Sequence, residues 1–532
     1  MPDAANESDR VNERSSMKGA AVLKVRELRD ALSPNELARL GTAELTEFLA
    51  PRRWFGAKAG KPTAARIRDV VPLPWEDGRF AIARLEVTTS TGTQNVYQLP
   101  LCVRAKAEIG DWMPKSVVAR VDANGEEALL YDAVEDGAFL RALADVLAHG
   151  GSFGSGALKW IVEPIGAAAL VVPDAAQIKV GAAEQSNTSI ILGEEAILKL
   201  FRKLERGEQP DVELTRFLTV DAAFPYTPAL LGTIRFEDGA GGGKMVAGML
   251  QEFLPKSVDA WSYALERAKP YFAAPRDGDV QNAFVADAER LGVVTRAMHD
   301  ALAQGRTPDL VPERVDATRV EQWATRTKQW VRDGLSLLER QLRANALPKE
   351  RAGEGEALLR RRDQYLSEVD EIAREVSGDA GVAMRIHGDY HLGQVLRTMR
   401  DDFMIIDFEG EPARPLAERR EKASPLRDVA GMLRSFAYAA ATIGMEAKGL
   451  DVGTREIRIG RWERDTRDAF LRGYLGGNAQ NPSAGILPSD TEHTRALLRL
   501  FETEKAFYEL AYELNNRPAW TWIPMRGIAK LT

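Results

Sequence analysis

The chain has 532 residues, 45% hydrophobic and 28% charged, a balance that fits an ordinary globular protein of about three domains. Its formal net charge of −7 argues against a global basic field for nucleic acid, and no uninterrupted apolar run is long enough to span a bilayer. A single cysteine, Cys102, excludes an intrachain disulfide, and its apolar surroundings "VYQLPLCV" suit a buried thiol.

The opening "MPDAANESDRVNERSS" is polar and lacks the apolar core of a signal peptide. Residues 1–23 are therefore expected to form a disordered tail, and the cytoplasm is the expected address. "VLKVRELRDALSPNELARLGTAELTEFLAPRRWF" reads helical, with helix starts at Ser33-Pro34 and at Thr42. Residues 64–105 change character, with β-like runs "ARIRDVVPL", "RFAIARLEVTT" and "TQNVYQLPLCVRA". Residues 126–148 read helical again. "SIILGEEAILKLFRK" reads as two strands joined by a turn at Gly193-Glu194, and further short strands are expected at 229–236 and 245–253. "GAGGGKM" at 239–245 misses the GxxxxGK[ST] spacing by one residue and reads as a hairpin turn.

From about residue 257 the apolar spacing becomes helical, in "VQNAFVADAERLGVVTRAMHDALAQG", "VEQWATRTKQWVRDGLSLLERQLRANAL" and "EALLRRRDQYLSEVDEIAREVS". Helices are also expected near 424–445, 457–475 and 491–514. The pattern predicts an α+β protein, a sheet lobe followed by a helical lobe.

Within the helical half lies "RIHGDYHLGQVLRTMRDDFMIIDFEGEP", with two of the five histidines and several acids. A zinc protease would need Glu directly after His387, but Gly388 stands there. A phosphotransferase needs an aspartate to take the proton of the attacking hydroxyl and two oxygen ligands for magnesium. In the kinase pattern H-R-D-x-x-x-x-N the metal amide follows the catalytic aspartate by five residues, and Gln394 stands in that relation to Asp389. "QVLRTMRDDFMIID" then reads as strand, turn at Asp401-Asp402, and strand. That hairpin would bring Gln394 and Asp407 to one end.

A kinase also needs a lysine on a strand to hold phosphates and a helix glutamate to hold the lysine. "AILKLFRK" puts Lys199 inside an apolar strand, where it is costly unless paired. "QPDVELTRFL" opens a helix at Pro210 and Asp211, with Glu213 as the candidate partner. Before the strand pair, "GAAEQSNTSIIL" offers Gln185, Ser186, Asn187 and Thr188 at a turn whose backbone could cradle phosphate.

Together, "HGDYHLGQVL", "IIDFEGEP" and "SPLRDVAGMLRSFAYAA" resemble the maltokinases, in the aminoglycoside-phosphotransferase-like branch of eukaryotic-type kinases. "RRWFGAKAG" resembles the tip of that family's N-terminal cap, "AILKLFRKLERGEQPDVEL" its nucleotide-lysine strand and helix, and "EKAFYELAYELNNRPAW" its acceptor-side helix. The resemblance implies a bilobal protein-kinase-like fold with a cap at 24–112, an intermediate region and sheet lobe at 113–255, and a helical lobe at 256–532. It implies transfer of the γ-phosphate of ATP, with Mg²⁺, to the anomeric hydroxyl of maltose, feeding α-glucan (glycogen) synthesis. Trehalose synthase is the implied partner. Asp389 is then the catalytic base, Gln394 and Asp407 the metal ligands, and Lys199 with Glu213 the phosphate clamp. Gln251, Glu252 and Leu254 belong to the hinge that meets adenine. The cap has Ala57 where glycine is usual in the family, and Tyr390 stands where leucine is common.

Other residues are read from their placement. His387, Arg427 and Asp428 are expected to brace the catalytic loop. Glu409 and Glu411 could be solvated, paired with Arg414, or sugar ligands, and His391 is a further sugar candidate. In the last long helix Glu504, Lys505, Tyr508, Glu509, Tyr512 and Glu513 make one polar-aromatic stripe, and Glu504, Lys505, Tyr508 and Glu513 are candidate sugar contacts. Competing readings are a kinase of another sugar such as glucosamine, a kinase-shaped scaffold for trehalose synthase without turnover, and a kinase of cationic drugs.

Overall fold

The computed structural model describes residues 21–55, 60–110, 112–156, 158–166, 170–181, 187–239, 243–274, 281–412, 414–476 and 485–531. Most of the expected tail, Ala57, Gln185 and Ser186 lie outside the described residues. The chain divides into two compact units: unit 1 runs to Glu213 and resumes over Ala229–Pro255, and unit 2 comprises Leu214–Pro228 and Lys256 onward.

Unit 1 carries two sheets. The strands of the first are β1 (Val22–Val25), β2 (Pro62–Leu73), β3 (Phe80–Thr89), β4 (Gln94–Ala105), β5 (Val117–Ala123) and β6 (Glu126–Asp132). The second holds β7 (Gly151–Phe153), β8 (Leu158–Pro164), β9 (Ile178–Val180), β10 (Asn187–Leu192) and β11 (Ala196–Phe201). After β12 (Lys203–Leu204) it is completed by β13 (Leu230–Asp238) and β14 (Gly243–Glu252). The first sheet has the order β1-β5-β6-β4-β3-β2, with β12 also on β4; the second has the order β7-β8-β13-β14-β11-β10-β9. Helix α1 (Thr42–Leu49) joins the core on one face of the first sheet, and α2 (Gly137–His149) joins the core shared with the second.

Two segments differ from the helical reading. Val22–Val25 is a strand running parallel to β5, so Val22 and Leu23 belong to a sheet and not to the tail. Residues 126–132 are β6, antiparallel to both β5 and β4. The missed signal is Asn124-Gly125: both residues take positive φ, 52° and 93°, which turns β5 into β6 as a tight hairpin. The helix starts only at Gly137, where the Asp136 carboxylate accepts the N–H groups of Ala138 and Phe139. Cys102 is buried in this region, as its apolar neighbours predict, and burial pushes its thiol well up.

In the second sheet β10 and β11 are antiparallel, with Ser189 opposite Lys199 and Thr188 opposite Leu200. Alternation sends their side chains to opposite faces. Leu198, Leu200, Ile190 and Leu192 share a core with Leu140 and Leu143 of α2. Phe201, which is two residues from Lys199 and so on its face, packs with Val212 and Met249. Helix α3 (Pro210–Arg216) follows, and the division between the units falls inside it. Leu214–Pro228, assigned by sequence to the strand-rich region, belongs to unit 2, because Leu214, Phe217, Leu218 and Phe224 are buried in its core.

Unit 2 is mainly helical. Its elements include β15 (Val258–Asp259), α4 (Ala260–Ala273), α5 (Val285–Leu302), β16 (Glu313–Arg314), α6 (Ala317–Arg343), α7 (Lys349–Arg360), α8 (Arg362–Val376) and β17 (Val382–Ala383). The hairpin β18 (Val395–Arg397) and β19 (Phe403–Ile405) precedes α9 (Leu426–Glu446), α10 (Val452–Leu475), α11 (Thr491–Asn516) and α12 (Trp522–Lys530). Helix α9 is buried along most of its length and carries the catalytic segment across its first turns. A Cβ at Gly431 would lie 2.6 Å from the Tyr390 carbonyl oxygen, so a glycine lets the loop rest directly on the helix. Tyr390 is itself buried, and its hydroxyl meets Thr295 Oγ1 at 2.8 Å.

In an exposed helix interior, Gly→Ala would stabilise by about 1 kcal/mol. Gly431→Ala should instead destabilise unit 2 by about 1–3 kcal/mol, because the added methyl overpacks the loop. Urea unfolding checks the sign.

Candidate active site

Lys199 sits in the middle of β11, its side chain 15% exposed and its Nζ 3.1 Å from Asp211 Oδ2, a carboxylate only 1% exposed. Asp211 stands in the first turn of α3, two residues before the expected partner Glu213, and the sequence reading did not name it for this role. At the end of β14, Gln251 is buried beside Ile197 of β11, and its Nε2 has no hydrogen-bond partner among the described residues. Next along the expected hinge, the Glu252 N–H donates to the Ala229 carbonyl at 2.9 Å and the Phe253 N–H to Glu195 at 2.8 Å. Leu254 follows directly. The Thr188 hydroxyl accepts from Arg202 Nε at 2.8 Å, on the face turned away from Lys199. Asn187 begins β10.

In unit 2 the segment His387–Asp389 is fixed from below by Asp428, in the first turn of α9. Its carboxylate accepts the His387 N–H at 2.8 Å and the Gly388 N–H at 2.9 Å, and lies 3.1 Å from His299 Nε2. Burial alone would raise the pKa of this acid. The hydrogen bond and charge of His299 outweigh it and hold the carboxyl below the usual range. The His387 ring joins two parts of the site. Its Nδ1 accepts the Asp389 N–H at 3.4 Å, which leaves Nε2 to donate to the Ile406 carbonyl at 2.9 Å. Gly388 takes φ +85°, and a Cβ there would stand 3.3 Å from Gly410 Cα, so the loop closes on the strand that follows.

The β18–β19 hairpin pairs Val395 with Ile405, and the Ile406 N–H donates to the Gln394 carbonyl at 3.0 Å. Gln394 and Asp407 therefore emerge at the same end of the hairpin. Asp407 takes φ +69°, a left-handed conformation uncommon for a residue with a side chain and typical of functional positions. An amide oxygen and a carboxylate are the hard donors that magnesium takes. His391, between these groups, caps a single 3₁₀ turn, Leu392–Gln394, by accepting the Gly393 N–H at Nδ1. Burial pushes its imidazole pKa down, against the pull of Asp389 and Asp407.

Asp389 lines a cavity of about 470 Å³ formed wholly by unit 2. Glu411, Glu504, Lys505 and Tyr508 share its wall, and Trp330 from α6 stands edge-on to Tyr508 at 5.1 Å between ring centroids. Lys505 Nζ is 3.9 Å from Asp389 Oδ1 and 5.0 Å from the centroid of the Tyr508 ring. Burial would lower the Lys505 pKa, but Asp389, Glu509 and Glu411 outweigh it and hold the ammonium above its ordinary value. Burial and a hydrogen bond to Glu411 push the Tyr508 hydroxyl well up. Glu411 is held by Arg414 Nε at 2.7 Å. Glu504 is only 4% exposed and is held by Arg427 Nη1 at 2.7 Å, with Arg326 Nε at 3.4 Å. Arg427, expected to brace the loop, also covers the Phe501 ring at 4.6 Å.

The other sugar candidates are placed differently. Glu513 is 1% exposed and bound by Tyr438 and Arg517, away from the cavity wall. The Glu409 carbonyl accepts from Arg419, and neither Glu409 nor His391 belongs to the cavity lining. What the sequence reading passed over is the contribution of α6. Arg319, Gln322, Trp323, Arg326 and Trp330 recur at helical spacing and all face the cavity. A Trp–Arg stripe on one helix face was the available signal. Among the described residues no group of three or more His, Cys, Asp or Glu side chains is gathered as a metal cluster.

Comparison with known proteins adds four findings. Residues 48–136 match the maltokinase N-terminal cap domain. Over 352 residues, 65% of this chain and 72% of the relative, the chain is 24% identical to a glucosamine kinase of Streptacidiphilus jiangxiensis. A glucosamine kinase of Mycolicibacterium smegmatis is 25% identical over 350 residues, 65% of this chain and 78% of its own length. The structure of a glucosamine kinase in complex with glucosamine, ADP and inorganic phosphate superposes with a TM-score of 0.63 at 20% identity, over 93% of this chain and 98% of that one. The chain thus carries a maltokinase-type cap, and it has the fold of the glucosamine kinase structures, as the resemblance in its sequence implies. The cap match passes Trp112, the expected edge of the cap, and runs to Asp136, because β5 and β6 complete the same sheet as β1 to β4.

Ionised Asp428 should contribute stability that is complete above about pH 4, its ordinary range, and lost as pH falls through its lowered folded value. Asp428→Asn should cost about 1–3 kcal/mol at pH 7. The gap to the parent protein should close on acidification, when both carry an uncharged side chain. Urea unfolding between pH 7 and pH 3 measures it.

Proposed function

We propose that this chain, with its maltokinase-type cap on a kinase fold, is an ATP-dependent sugar kinase that phosphorylates the anomeric hydroxyl of maltose. The observation that carries the reading is Asp389 in the wall of a cavity of about 470 Å³ that also holds Trp330 and Tyr508. Aromatic faces suit the C–H groups of a sugar ring, and the polar groups beside them suit its hydroxyls.

The roles follow from the chemistry. Asp389 accepts the proton of the anomeric hydroxyl as that oxygen bonds to the γ-phosphorus. The bond from the γ-phosphorus to the β-γ bridging oxygen breaks, and ADP leaves. Lys199, held by Asp211, binds the nucleotide phosphates. Gln394 and Asp407 are the residues that would hold magnesium, which when bound neutralises phosphate charge. His387 keeps the backbone of Asp389 tied to the end of the hairpin that bears Asp407. Lys505 supplies a cation beside the catalytic carboxylate. Maltose 1-phosphate, the product, is a glycosyl phosphate suited to feeding α-glucan (glycogen) synthesis, and trehalose synthase is the partner that belongs with this reading.

A second reading is glucosamine as acceptor, and the relatives that bear that name favour it. The charge arrangement favours a neutral sugar. Glu411 is held by Arg414, Glu504 by Arg427, Asp428 by His299 and two backbone N–H groups, and Asp389 lies near Lys505. An ammonium group would have to displace one of these partners or turn to Glu418 and Glu421, which are exposed in the same wall.

The test is an ATP and Mg²⁺ assay across maltose, glucose, glucosamine and an aminoglycoside, with the phosphorylated carbon located by NMR. Phosphate on C1 of maltose is the expected result. Turnover on glucosamine alone would shift the function to the second reading, and no ATP turnover with any acceptor would overturn the kinase assignment. Asp389→Asn should lower kcat by about 10²–10⁴ while Mg-ATP binding stays nearly intact. Asp407→Asn should weaken Mg-ATP binding as well.

A further inference from the structure

A second cavity, of about 590 Å³, is formed wholly by unit 1. Its wall joins the cap residues Trp54, Trp112 and Lys115 to Thr188 of β10 and to Arg202, just after β11. Thr188 in its wall lies on the face of the second sheet away from Lys199, and Asn187, at the start of β10, marks the edge of that face. Thr188 is opposite Leu200, and the wall residues Val134 and Leu140 share a core with Leu198 and Leu200. Lys199 and Asp211 are not in its lining, and it shares no residue with the acceptor cavity of unit 2.

Its chemistry is anion-seeking. Four cations, Arg52, Arg53, Lys115 and Arg202, line it against two acids, Asp132 and Glu135. Both acids are already engaged: Asp132 pairs with Arg202 Nη2 at 2.8 Å, and Glu135 accepts the Lys115 N–H at 2.6 Å. Arg202 is the unusual member. It is 1% exposed, donates from Nε to Thr188, and stacks 5.0 Å from the centroid of the Trp54 ring. Its Nη1 has no hydrogen-bond partner among the described residues. A buried guanidinium with an unused N–H group is costly unless an acceptor reaches it. Around the charge lie groups that suit a sugar. Trp112 is 45% exposed and stands edge-on to Tyr131, and the cavity wall also includes Ser116 and Asn187.

We propose that the cap carries a non-catalytic site for a phosphorylated sugar. The phosphate is taken by Arg202 and Lys115 as charge-assisted hydrogen bonds, and the sugar lies against Trp112. The inference does not depend on which acceptor the kinase uses.

Isothermal titration of the full chain with glucose 1-phosphate tests it, with maltose and inorganic phosphate as comparison ligands. Trp112 and Lys115 are exposed, so Trp112→Ala and Lys115→Glu leave the core intact. Saturable binding is expected, tighter than that of inorganic phosphate and weakened about tenfold or more by each substitution, whereas any maltose binding is unchanged by either. Tyr508→Ala, in the acceptor cavity, should leave it unchanged. Binding that survives both cap substitutions but falls with Tyr508→Ala would overturn the assignment, as would the absence of saturable binding. Inorganic phosphate binding as tightly as glucose 1-phosphate would overturn the sugar component.

Discussion

The segment His387–Asp389 depends on one buried carboxylate. Asp428 takes two successive backbone N–H groups, those of His387 and Gly388, and so sets the direction of the chain just before Asp389. A loop of this kind has no sheet or helix ladder to satisfy its donors, so a side chain must do so. Asp428 can remain charged in the core because His299 faces it, and Tyr474 in turn orients His299 through a hydroxyl 2.9 Å from Nδ1. Order passes upward from there. His387, fixed at its backbone, uses its ring to join the Asp389 N–H to the Ile406 carbonyl. Residues from α5, the loop, the hairpin and α9 thus become one hydrogen-bonded assembly.

The acceptor cavity follows a related rule with charges. Glu411 and Glu504 are held by arginines and Asp389 lies near a lysine, while Glu418 and Glu421 are exposed in the same lining; Arg427 also covers the Phe501 ring. Such pairs add little net stability, since desolvation consumes most of the attraction, but they fix geometry. In unit 1 the single strand pair β10–β11 is used on both faces. One face bears Lys199 and Asp211, and the other bears Thr188 and Arg202.

Much of this was legible in the sequence because it rests on local spacing. The antiparallel pair around Gly193-Glu194 and the hairpin from Val395 to Ile405 follow from alternation and turn residues, and the long helices of unit 2 follow from apolar period. What escaped was set by tertiary context. Val22–Val25 is strand because β5 offers an open edge to it, a partner almost a hundred residues away. Glu126–Asp132 looked helical because its apolar run continues into α2, although Asn124-Gly125 marked the turn. Asp211 and Glu213 both lie in the first turn of α3, and spacing alone did not single out Asp211, whose carboxylate meets Lys199. Trp330 reaches the acceptor cavity from α6, far along the chain from Asp389, and only packing brings them together.

The backbone of Asp407 has a consequence for mutagenesis. Left-handed φ is cheap for glycine, moderately so for asparagine and aspartate, and expensive for other residues. Replacing Asp407 with alanine would remove a carboxylate and also bias the hairpin end toward a different backbone, by about 1–2 kcal/mol. An alanine scan would then attribute to charge what belongs partly to conformation. Asparagine is the substitution that leaves the main chain where it is, so at this position the amide and not the methyl isolates the electrostatic contribution.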